Sequence, residues 1–362
     1  MNLRRPTKIV YVLYHNVKNN DGVVKKIRNQ IFFWNKQGIK VHVLCLVSER
    51  GNSVLECEQF ETSANPLLRT FKSEKHFLKR LAELEPDLIY TRFELLSFCL
   101  LRILIQFKTV VEMNTDDLGE NRSIFRENWS LKAFSRVWLN LLGRRLILKR
   151  ASALIAVTNE IKRKIENRKY VYKITVIPNG IDFSGTKKLK RFHYGNSPIS
   201  FVFIGSPNQS WQGIDIIVKL SKALPNFHFH IIGTKGENSK NLTWHGYLGQ
   251  EDYEKIFKNS TFCLGTLALF RKGMTEACPL KVREYLAYGF PTVLGYHDTA
   301  FPNLAPFLCR LDFVNNSIEA NASKIREFAS RRVNYIVENH ELEGISCEFL
   351  ENQRINLFRS LV

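Results

Sequence analysis

The sequence predicts an α/β protein of two domains, each a parallel sheet wrapped by helices. Three observations carry this. At 362 residues the chain is longer than one hydrophobic core normally serves. From Lys8 a strand, a glycine-bearing loop, a helix and a second strand follow in order, which is one βαβ unit. The same order restarts at Ile199, after a basic and weakly periodic stretch from Lys187 to Ser197.

In the first half, Lys8 to Tyr14, apolar from Ile9 on, is read as a buried strand. A loop from His15 to Gly22 leads into a helix over Val23 to about Gln37, closed by Gly38. Val41 to Val47 is the next strand, and Pro86 to Arg92 is another with a polar tip. A helix over about Glu94 to Phe107 precedes the strand Lys108 to Asn114. Leu131 to Arg150 reads as a long helix with apolar positions 131, 134, 138, 141, 142 and 148. Cations at 132, 136, 144, 145, 149 and 150 are interleaved with them. Ala153 to Thr158 and Lys173 to Pro178 are strands around a basic helix, Glu160 to Asn167.

In the second half, Ile199 to Gly205 is a strand, Ile214 to Ala223 a helix and Phe227 to Gly233 a strand. A helix over Glu251 to Asn259 and a strand beginning at Cys263 follow. Residues 320–362 read as helices. Ligands of open α/β sheets sit beyond the carboxyl ends of strands, so His15, Arg92, Glu112 and Asn114 are candidates for substrate contact. Turn and capping chemistry would use the same residues.

The most informative stretch runs from Met274 to Pro291. Pro279 suits a first helical position, Gly289 a left-handed cap, and Pro291 forbids continuation. Helical spacing puts Lys281, Glu284 and Tyr288 on one face. The amide N–H groups of Leu280 and Lys281 then point outward at the positive end of the helix dipole, which suits a phosphate. Lys281 and Glu284 also have the spacing of an ordinary surface ion pair, worth about 0.3–0.5 kcal/mol.

Glu276-x7-Glu284 followed by Tyr-Leu-Ala-Tyr-Gly-Phe-Pro-Thr-Val resembles the sugar-nucleotide signature of the retaining GT-B glycosyltransferases called group 1. Pro178-Asn-Gly-Ile-Asp182 resembles that family's crossing between domains. The resemblance implies two Rossmann-like domains facing a central cleft. It assigns 1–178 to an acceptor-binding domain, with a helix over about 345–362 packing back on it, and 179–344 to nucleotide-sugar binding. It implies that Glu276 contacts the transferred sugar and Glu284 the ribose. Gly22 and Gly205 would approach the donor phosphates, and Tyr247 and Leu248 the nucleobase. The loop Gly205 to Gly213, where the family carries an Arg and a Lys, has no cation here. Arg271, Lys272 and above all Lys281 are the replacements, with Lys281 stabilising the leaving diphosphate. The implied reaction moves a sugar from a nucleotide-diphosphate sugar to a polysaccharide or lipid-linked acceptor, with no metal or other cofactor. A catalytically silent sugar-nucleotide-binding protein and a GT-B epimerase are the competing readings.

The net charge is +19, and residues 121–195 hold 18 Lys/Arg against four Asp/Glu. Such a block draws anionic partners, and an anionic membrane surface is the one expected. Nucleic acid is not, since no recognised binding motif accompanies the charge. No apolar run reaches the ~18 residues of a membrane span. The run Ile9 to Tyr14 is too short for a secretory signal. Seven cysteines with no Cys-x-x-Cys pair suit a reducing compartment. A cytoplasmic protein, peripheral on the cytoplasmic face of the membrane, is therefore expected. Neither a dinucleotide-binding glycine motif nor a P-loop is present.

Overall fold

The computed structural model describes residues 6–65, 68–69, 74–127, 130–167, 174–193 and 197–362. The predicted strand start at Lys173, the side chains of Leu131 and Lys132, and part of the 187–197 stretch lie outside the described residues. The chain divides into two compact units, 1–180 with 347–362, and 181–346.

The first unit is a seven-stranded parallel sheet of β1 (Lys8–Leu13), β2 (Lys40–Val47), β3 (Glu58–Glu61), β4 (Leu88–Arg92), β5 (Thr109–Met113), β6 (Ala153–Ala156) and β7 (Ile174–Val176). Their order is β3-β2-β1-β4-β5-β6-β7, so the winding direction reverses between β1 and β4. Alternation along β1 divides its side chains between two cores, as a strand buried on both faces requires. Ile9, Tyr11 and Leu13 pack with Val24, Ile27 and Trp34 of α1 (Gly22–Lys36) and with Ile355 and Phe358 of α11 (Cys347–Arg359). Val10 and Val12 pack with Phe77 and Leu81 of α2 (Lys75–Glu83) and Ile103 of α3 (Phe98–Gln106). This unit also holds α4 (Asp117–Glu127), α5 (Leu131–Arg150) and α6 (Asn159–Glu166).

The second unit is a six-stranded parallel sheet of β8 (Ser200–Ile204), β9 (His228–Ile232), β10 (Leu242–Gly246), β11 (Phe262–Leu264), β13 (Thr292–Leu294) and β15 (Leu308–Arg310). Its order is β10-β9-β8-β11-β13-β15, with the reversal between β8 and β11. Phe201, Phe203, Phe229 and Phe262 form its core with Ile217 of α7 (Ile214–Ala223) and Ile325 of α10 (Ile318–Arg332). Between them lie α8 (Gln250–Lys258) and α9 (Leu280–Ala287). A small separate sheet pairs β12 (Glu276–Ala277) with β14 (His297–Asp298).

Three expectations are corrected. Pro279 is the N-cap of α9, with extended backbone at ψ 142°, rather than its first helical residue. Glu112 is fully buried and cannot meet a substrate. It accepts from Tyr90 Oη at 2.6 Å and pairs with Lys26 of α1 and, at 3.2 Å, with Arg354 of α11. Arg144 is buried as well, its Nε 3.0 Å from Asp117 Oδ1, whereas Phe134, Trp138, Leu141 and Leu142 are exposed.

Candidate active site

In the second unit, α9 is fastened to the carboxyl end of β8 at the sheet's reversal point, where open α/β sheets bind ligands. Tyr285 Oη accepts from Ile204 N–H at 2.9 Å, and Lys281 Nζ donates to Ile204 O at 3.0 Å. Both backbone groups of Ile204 are thus held by one helix, and the strand gives way to the loop at Gly205. Gly205 has no room for a side chain, since a Cβ would lie 2.6 Å from the Phe203 ring. Gln212 closes the loop by accepting from Ser206 N–H at 3.1 Å. Gly213 starts α7 at φ +77°, a left-handed conformation that favours glycine.

Three cations from other segments pack against this loop and the strand before it. Arg271 and Lys272 lie in a 3-10 turn, Leu269–Lys272. Arg271 forks onto Asp215 with two 2.7 Å contacts and also donates to Ser210 O at 2.8 Å. Lys272 Nζ stands 5.0 Å from the centre of the Trp211 ring. Lys281 Nζ sits 4.0 Å from the centre of the Phe203 ring, and burial pushes its pKa down to about 7. Its hydrogen bond goes to Ile204, not to Glu284.

Glu284 is gripped by two phenols. Tyr253 of α8 and Tyr288 donate to Oε1 at 3.1 and 3.2 Å. Burial, then the Glu284 charge, raises both phenol pKa values, so each remains a donor. Glu276, on β12, accepts from Thr299 Oγ1 at 3.1 Å. No side chain caps α9, and the first of its amides bonded locally are those of Val282 and Arg283, both to Pro279 O. Its amino-terminal end is therefore open. Tyr247 is 89% exposed and Leu248 half-buried in the turn between β10 and α8.

In the first unit, a cavity of about 250 Å³ at the carboxyl ends of β1 to β3 is lined by Tyr14, His15, Lys18, Ser48, Glu49 and Arg69 among others. His15 belongs to it, but Arg92, Glu112 and Asn114 do not line it. His15 Nε2 lies 2.9 Å from Asp21 Oδ2. Asp21 in turn caps α1, accepting from Val23 and Val24 N–H at 2.9 Å each. The helix end beside Gly22 thus already holds a carboxylate, whose charge opposes a phosphate there. Arg92 ends β4 half-buried, and Asn114 Oδ1 accepts from Lys26 Nζ at 3.1 Å.

Residues 21–184 match the family model described as Glycosyltransferase Family 4. No curated protein matches the sequence. Solved structures resemble the chain over nearly all of its length. Sucrose-phosphate synthase from Thermosynechococcus elongatus has a TM-score of 0.72 at 15% identity, covering 98% of this chain and 99% of that one. A lipopolysaccharide outer core galactosyltransferase gives 0.64 at 13%, covering 98% and 100%. The pneumococcal O-GlcNAc transferase, solved with UDP and GlcNAc, gives 0.62 at 11%, covering 99% of each. The fold is GT-B.

On this GT-B frame, sequence reasoning missed Tyr253 and Arg283 in the second unit and Lys18, Lys26 and Arg69 in the first. Tyr253 had a signal available. It lies half-buried in the first turn of a helix that begins two residues after Leu248 of the predicted nucleobase turn. Among the described residues, no group of three or more His, Cys, Asp or Glu has the geometry to hold a metal ion. His228 and His230 of β9 are joined by His245, whose Nε2 is 3.0 Å from His230 Nδ1.

Proposed function

We propose that this protein transfers a sugar from a nucleotide-diphosphate sugar, with retention of configuration, to a polysaccharide or lipid-linked acceptor. The observation that carries the reading is the pair of carboxylates held at the two ends of one short stretch. Glu284 is aimed by Tyr253 and Tyr288, and Glu276 by Thr299, with an uncapped helix start and Lys281 between them. In this reading Glu284 receives the ribose hydroxyls and Glu276 orients the sugar. The open amides of α9 and the nearby cations meet the diphosphate as its charge develops, the largest electrostatic term in such a transfer. In this reading the nucleotide sugar is itself the substrate, and the cations and amides of the chain stand where a metal would otherwise meet the diphosphate. UDP in the pneumococcal structure makes UDP-sugars the first donors to try.

A second reading, a catalytically silent sugar-nucleotide binder, draws on one observation: Arg271 is committed to Asp215, and Lys281 is buried against a carbonyl. Thermal stabilisation by a panel of UDP-, GDP- and ADP-sugars tests the shared premise. A donor at 100 times its Kd should stabilise the fold by about 2.7 kcal/mol. Release of nucleoside diphosphate on adding a membrane extract separates the two. Stabilisation without release favours the silent binder. NMR of the product's anomeric configuration tests retention.

A further inference from the structure

We propose that the exposed face of α5 is a membrane-docking surface, which seats Phe134, Trp138, Leu141 and Leu142 at the headgroup–acyl boundary of an anionic bilayer. The inference deepens the lipid-linked reading above by assigning the surface that meets the lipid.

The helix buries Ile147 and Leu148 but leaves one apolar arc outside. Phe134, Trp138, Leu141 and Leu142 are 47%, 51%, 36% and 70% exposed, while Asn140 and Arg144 are buried. Arg144 and Asn140 both bind Asp117 of α4, at 3.0 and 2.9 Å. These polar contacts share the inner face with Ile147 and Leu148, and the other four apolar residues are left outside. At about 100° per residue, positions 134, 138, 141, 142, 145 and 149 fall within one arc of roughly 100°. The arc is apolar over its first turns and then carries the exposed Arg145 and Lys149. The Phe134 and Trp138 rings touch, their centroids 6.1 Å apart, and Phe125 extends the group at 6.0 Å. Neighbouring α3 also exposes Phe98 and Ile105, with Arg102 exposed between them.

Scattered exposed apolar residues are ordinary, but four on one helical arc are a surface. Its chemistry selects the occupant. Aromatic and aliphatic side chains flanked by Arg and Lys match an interfacial helix. The exposed Arg136, Arg145, Lys149 and Arg150 of this helical segment complement anionic headgroups. A second copy is a poorer partner, because a two-fold interface would bring this cationic segment against itself.

The test is co-sedimentation of the full chain with phosphatidylcholine vesicles, with and without about 30% phosphatidylglycerol as the anionic lipid. Wild type should bind the anionic vesicles. Trp138→Ser/Leu142→Ser should weaken binding about tenfold or more, at low and high salt alike. Arg145→Ser/Lys149→Ser should weaken it roughly fivefold per residue at low salt and little at 1 M. Far-UV circular dichroism controls for folding. Equal binding by wild type and the apolar variant overturns the assignment of this face but leaves the membrane reading standing. No binding by wild type overturns both. A wild-type dimer in light scattering that becomes monomeric in the apolar variant also overturns it, since a second copy would then be the occupant. None of these outcomes depends on donor binding.

Discussion

Arg283 and Asp298 form a two-point fork in the second unit, with both N–O distances at 2.7 Å and both side chains buried. Arg283 belongs to the helix that carries Glu284. Asp298 belongs to β14, which pairs with the strand carrying Glu276. One buried ion pair therefore ties the two candidate carboxylates into a single frame.

Breaking that fork should be costly. Arg283→Met leaves Asp298 buried and unpaired, and should destabilise the protein by about 3–5 kcal/mol. Arg283→Met/Asp298→Leu should recover most of the loss, because the uncompensated charge is gone. Urea unfolding of the single and double variants checks this.

The two carboxylates should separate kinetically. Glu284→Gln should weaken donor binding about tenfold to a hundredfold, the range of a charge-assisted hydrogen bond. Glu276→Gln should lower kcat more than donor affinity, because sugar orientation matters most in the transition state. Tyr253→Phe should resemble a mild Glu284→Gln, since it removes one of the phenols that aim the carboxylate. Calorimetric titration of donor and steady-state kinetics measure each. Wild-type values in both glutamine variants would return the pair to ordinary surface chemistry.

Lys281 predicts a pH dependence. Its folded-state pKa is lowered to about 7 from an ordinary 10.5, so the ammonium is charged below about pH 7 and neutral above. A diphosphate binds the charged form. Donor affinity should thus fall by up to about tenfold per pH unit as pH rises above 7. Lys281→Met should flatten this profile and bind donor more weakly below pH 7 by about 1.5–3 kcal/mol. The same depression costs stability in full below about pH 7, and the cost is relieved as pH rises from about 7 to 10.5, where the folded state holds fewer protons than the unfolded chain.

Glu112 predicts an acid limit. Burial alone would raise its pKa, but the Lys26 and Arg354 charges override this and hold the carboxyl well below the usual range. Its stabilising contribution is present above the ordinary value of 4.5 and is lost as pH falls below it. Lys26→Met should cost about 3–5 kcal/mol at pH 7 and narrow the range of acid tolerance. Thermal melts from pH 7 to 3 read both effects.

Local chemistry was legible in the sequence by itself. Apolar runs bounded by Gly and Pro marked the strands, and α5 runs from Leu131 to Arg150 as periodicity predicts. The spacing of Glu276 and Glu284, the cap at Gly289 and the cation-free loop after β8 were all readable, because each depends on residues within one or two turns. Tertiary structure alone decided the partners of these residues. Nothing in the spacing of Lys26, Glu112 and Arg354 announces that they meet, since α1, β5 and α11 are joined only by packing. The same holds for Tyr253 with Glu284, for Arg271 with Asp215, and for the Arg283–Asp298 fork. Periodicity also showed that α5 has an apolar stripe without showing which side is covered. A hydrophobic period fixes an angle about a helix axis, whereas burial depends on what packs against that angle. Here Asp117 took the polar side inward and left Trp138 and Leu142 exposed.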